Sequence, residues 1–85
     1  MIVRQNLYAP AAVRQLIYKF NRENSTQIEE VATEYIDGSS FSIIDFKDTK
    51  SSLIFEFAYK LGGIQEYLSN IGESWLPLTD YPFPE

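Results

Sequence analysis

Hydrophobic positions along the chain change period more than once, and each change marks an element. From Pro10, a residue favoured in a first helical turn, Val13, Leu16, Ile17 and Phe20 recur at helical spacing and predict a helix over about 10–23. Asn21, Asn24 and Ser25 then break the pattern. Thr26-Gln27-Ile28-Glu29 reads as a capping box, and Ile28, Val31, Ala32, Tyr35 and Ile36 form an apolar stripe. Together these predict a second helix over about 27–37, closed by Gly38.

Past Gly38-Ser39-Ser40 the chain turns β-branched and aromatic over Phe41–Phe46, and after a polar turn Leu53, Phe55, Phe57 and Tyr59 alternate. The simplest expectation is a β-hairpin of strands at about 41–46 and 52–59. A helix from 53 to about 70 is the competing reading, but it would carry Gly62-Gly63 in its interior at roughly 1 kcal/mol each. Ile64, Tyr67, Leu68 and Ile71 restore helical spacing and predict a short third helix over about 63–71, which Gly72 can close. Residues 2–7 are the remaining extended candidate for a third strand, since two strands alone are marginal. From 73 to 85, prolines at 77, 82 and 84 among Trp75, Leu76, Leu78, Tyr81 and Phe83 predict an extended, aromatic tail. The expected fold class is therefore α+β, in a single domain over residues 1–85, because a second core would leave each half too small to fold unaided.

Composition narrows the function classes. With no histidine and no cysteine, the chain lacks the usual proton shuttle, the usual transition-metal ligands and any thiol nucleophile. No catalytic, cofactor-binding or metal-binding residues are assigned, and a non-enzyme is expected. Asp45 and Glu56, the one carboxylate pair that the expected hairpin would bring together, read as exposed strand residues. Gly62-Gly63 reads as a strand-to-helix turn rather than a phosphate cradle. The opening Met1–Asn6 has no signal-peptide character, no run of about 18 apolar residues occurs, and a cytoplasmic protein away from membranes is expected.

Charge is segregated. Residues 1–22 carry Arg4, Arg14, Lys19 and Arg22 and no acid, whereas residues 23–45 carry Glu23, Glu29, Glu30, Glu34, Asp37 and Asp45 and no base. On a helix, Glu30, Glu34 and Asp37 would make one acidic row, a cost that a basic partner would offset. Trp75 and Tyr81 would supply aromatic anchors. The leading expectation is thus a small acidic binding protein, of inhibitor, immunity or adaptor type, that occupies a basic surface of another protein through Glu30, Glu34, Asp37, Trp75 and Tyr81. A subunit of a homo-oligomer is the second reading. A nucleic-acid-binding regulator using Arg14, Lys19 and Arg22 is the third, disfavoured by a net charge of -5.

Overall fold

In the computed structural model, which describes residues 1–78, 80 and 81, the chain runs β1 (Ile2–Leu7), α1 (Pro10–Asn24), β2 (Glu29–Ile36), β3 (Ser39–Asp45) and α2 (Ser51–Ile71). The α+β class holds: one three-stranded antiparallel sheet and two helices. The sheet order is β1-β3-β2, so β1 and β2 run parallel with β3 antiparallel between them, and both outer strands are edges. Registers Val3↔Ile44 and Leu7↔Ser40 on one side, and Thr33↔Ser42 and Ile36↔Ser39 on the other, fix which residues share a face.

Two expected elements change identity. Residues 27–37 form strand β2 rather than a helix. The turn that follows explains why: Asp37 and Gly38 take φ of 51° and 81°, the two positive values of a type I′ turn, which joins Ile36 directly to Ser39 in a hairpin. Once that turn forms, Val31, Thr33, Tyr35 and Ile36 supply the β-branched and aromatic residues a strand favours. The capping box does not form either. Asn21 takes its place as the organiser, its Oδ1 accepting from the Thr26 hydroxyl (2.8 Å) and the Ile28 N–H (3.0 Å) while its Nδ2 donates to the Ile28 carbonyl (2.9 Å).

The second correction is larger. The expected strand 52–59 and the expected separate third helix 63–71 are one helix, α2, with Gly62-Gly63 inside it. The alternation at Phe55, Phe57 and Tyr59 is a coincidence of period, because only Phe57 is buried, while Phe55 and Tyr59 are 77% and 80% exposed. The core-facing set is Leu53, Phe57, Leu61, Ile64 and Leu68, spaced as a helix face. Burying Phe57, Leu61 and Leu68 contributes about 1.5–3 kcal/mol each, enough to outweigh two interior glycines.

The remaining elements fall where the pattern puts them. Strand β1 matches the 2–7 candidate, Pro10 opens α1, and Gly72 closes α2 at φ 72° with its N–H donating to the Leu68 carbonyl. The core lies between the helices and the sheet face bearing Leu7, Ser42 and Ile44, with Phe57 meeting Phe20 and Phe46 edge-on, each at 5.4 Å. The described tail residues fold back on α1: Leu76 packs against Ala9, Ala12 and Leu68, and its N–H and carbonyl are both bonded by Gln15 (2.7 and 3.0 Å). The part of the expected extended tail at 79 and 82–85 lies outside the described residues. No helix among the described residues is long and apolar enough to cross a membrane.

Candidate functional site

β2 is the least protected element of the fold. Apart from Glu30, every one of its residues is exposed, including Thr33 and Tyr35, which share the face that the helices cover elsewhere. Tyr35 is 76% exposed, and Val31 and Ile36 are 45% exposed each. As an edge strand it also presents alternate N–H and C=O groups to solvent along its outer side.

A β-bulge organises its side chains. Between the pairs Glu30↔Ile44 and Ala32↔Ile43, Val31 is an extra residue that shifts the parity of everything after it. Glu30 therefore points under α1, and its side chain is only 9% exposed. There it accepts from Arg14 Nε (3.0 Å) and from the Ser42 hydroxyl, which is itself fully buried. Glu34 points the opposite way, onto the uncovered face, and accepts from Arg4 Nε at 2.8 Å across the Phe41 ring. Asp37 sits exposed in the hairpin turn.

The three acids thus form no single row. Glu30 is a structural pin between helix and sheet, while Glu34 and Asp37 remain at the exposed edge and turn, joined by Glu29 at the other end of the strand, where Lys47 Nζ approaches to 3.4 Å. Trp75 and Tyr81 lie elsewhere. Trp75 is half-buried beside the clamped Leu76, and the Tyr81 ring meets Tyr18 of α1 edge-on at 5.3 Å. Next to it, Asp80 pairs with Arg22. Hydrogen bonding from that guanidinium holds the Asp80 carboxyl below its usual value, and the same bond raises Arg22.

Asp45 and Glu56, expected as exposed strand residues of one hairpin, stand instead on different elements, Asp45 half-buried on β3 and Glu56 exposed on α2 beside Lys60. Among the described residues, no three acidic side chains converge where they would hold a metal ion. A concavity of about 610 Å³ lies between α1, α2 and the tail and is walled by Leu16, Phe20, Tyr59, Ile64, Leu76 and Leu78.

Sequence reasoning missed Val31, Thr33 and Tyr35 as edge residues. The signal that finds them is Asp37-Gly38 between two β-branched, aromatic runs, the strongest short hairpin pattern there is. Compared with protein-family models, with characterised proteins and with solved structures, the chain matches none of them.

Proposed function

We propose that this protein is a non-enzymatic binding protein that takes up a basic, extended segment of another protein along the free edge of β2. The observation that carries the reading is that β2 has a backbone edge unpaired among the described residues and, with its turn, bears three exposed acids: Asp37, and Glu29 and Glu34, whose weak surface ion pairs with Lys47 and Arg4 a basic chain can displace. Backbone hydrogen bonds from an added strand would supply affinity, and the charges would select a Lys- or Arg-bearing segment and speed its encounter. The bulge at Val31 and the acids also discourage β2 from pairing with a copy of itself, since like charges would face one another. That leaves the edge open to a chain of opposite sign.

The reading keeps Glu34 and Asp37 as partner-facing residues and gives Glu30 to the fold. It assigns Trp75 and Tyr81 to anchoring the tail on α1. A labelled peptide as long as β2, alternating lysine with valine, should bind in fluorescence anisotropy. The same peptide N-methylated at alternate residues, so that it cannot complete the ladder, should bind at least roughly tenfold more weakly. Equal binding of the two peptides would reduce the interaction to loose charge attraction and remove the edge from the account.

A further inference from the structure

Among exposed polar residues such as Ser52, Glu56, Lys60 and Glu66, α2 also leaves four large apolar side chains uncovered. Phe55, Tyr59, Tyr67 and Ile71 are 77%, 80%, 53% and 50% exposed, whereas Phe57, Leu61 and Leu68 of the same helix are buried in the core. These four residues and Gly63 follow one another at intervals of four, so they form a continuous ridge winding along the helix. The ridge is a palindrome about Gly63: apolar, Tyr, Gly, Tyr, apolar. Gly63 lies at the edge of the concavity between α1, α2 and the tail, and a methyl group built on it or on Gly62 would meet no atom of the described residues within 4 Å. Each glycine nevertheless costs the helix roughly 1 kcal/mol relative to alanine.

We infer that α2 is a self-association surface, on which a second copy of this chain packs antiparallel with its Gly63 against Gly63 of the first. Ridges spaced by four interdigitate when two helices cross at about 50°. In that arrangement an antiparallel pair sets Tyr59 beside the second copy's Tyr67, and Phe55 beside the second copy's Ile71. The two glycines coincide at the crossing point, where the backbones must approach most closely. A palindromic ridge is what a two-fold contact requires, because the same patch serves both copies.

The area agrees with a modest dimer. Taking aromatic side chains at about 150–250 Å² each, the ridge offers roughly 500 Å² per copy. Two copies reach about 1,000 Å², the lower limit for a specific interface. The flanking rows set a further constraint: this crossing brings Lys60 of each copy to the same side, beside its own Glu56, and faces Glu66 with Glu66. The contact uses no residue of β2.

Sedimentation equilibrium on the full chain should show a monomer–dimer equilibrium. Tyr59→Glu should weaken it roughly tenfold or more, with the circular dichroism unchanged because Tyr59 is exposed. Glu66→Gln, which removes the facing like charges, should tighten it roughly two- to fivefold. Gly63→Leu should leave the single chain folded and somewhat more stable, since a side chain there meets open space among the described residues and favours helix, yet weaken the dimer roughly tenfold or more by standing at the crossing point. A chain that stays monomeric at millimolar concentration overturns the inference. So does a dimer that survives both Tyr59→Glu and Gly63→Leu.

Discussion

β1 and β2 are both edge strands of one three-stranded sheet, paired to the same central strand over similar lengths, yet they are finished in opposite ways. β1 sends Leu7 and Val3 into the core, and the carbonyl of Met1 just before it accepts the Phe46 N–H at 2.9 Å. β2 sends inward only Glu30, a charged residue that needs Arg14 and Ser42 to be tolerated there. The difference separates two uses of a sheet edge. One edge is invested in stability, and the other is attached by polar pins and a tight turn, leaving its length free.

Substitutions on the two strands should break along this line. The largest effect is expected for Leu7→Ala on β1, whose side chain is 6% exposed, at about 2–5 kcal/mol in urea unfolding. Tyr35→Ala on β2 should stay within about 0.5 kcal/mol, and a loss as large as that at Leu7 would erase the contrast. Glu30→Ala should cost about 1–3 kcal/mol, because it strands the buried Ser42 hydroxyl and frees Arg14. Glu34→Gln with Asp37→Asn, which remove the charges but keep the size at 34 and the turn preference at 37, should leave stability nearly unchanged while weakening the basic peptide several-fold.

How much of this was legible before the structure depends on where tertiary packing decided the outcome. Helix α1 was readable because Pro10 and the spacing of Val13, Leu16, Ile17 and Phe20 agree, whereas strand β1 was reached only as the extended segment left over to complete a sheet. β2 was not, because residue 28 just before it and residues 31, 32, 35 and 36 within it also fit a helical stripe, and the Asp37-Gly38 turn that resolves the ambiguity can equally close a helix. The first half of α2 was hidden by its own outward ridge, since exposed Phe55 and Tyr59 imitate the alternation of a strand around buried Phe57. Of the candidate site, Glu34 and Asp37 kept an exposed position. Glu30 changed face through a bulge that no local pattern announces, and the edge position of β2 follows from strand order, which only the assembled sheet determines.

Gly38→Ala tests the attachment of β2 in a more local way. At φ 81° a Cβ is disfavoured by about 1–2 kcal/mol even though open space surrounds it, so unfolding should shift by that amount while the β1 pairing persists. The smallest effect concerns the tail, which is anchored on α1 and away from either edge. Asp80 has its carboxyl lowered by Arg22, so the strap is stabilised above the ordinary carboxylate range and loses that contribution as pH falls through the folded value. Trp75 fluorescence should report a change below about pH 4 that Asp80→Asn abolishes, with peptide binding at neutral pH unaffected by the substitution.

The central claim, that β2 rather than β1 is the edge to which a partner strand adds, is tested most directly by following backbone amides of the ¹⁵N-labelled protein by NMR as the alternating lysine–valine peptide is added. The account predicts the largest shifts, and new protection from hydrogen exchange, at residues 31–36 of β2, with residues 2–7 of β1 unmoved. Shifts centred on β1, or confined to side chains with no newly protected amide in β2, would contradict it.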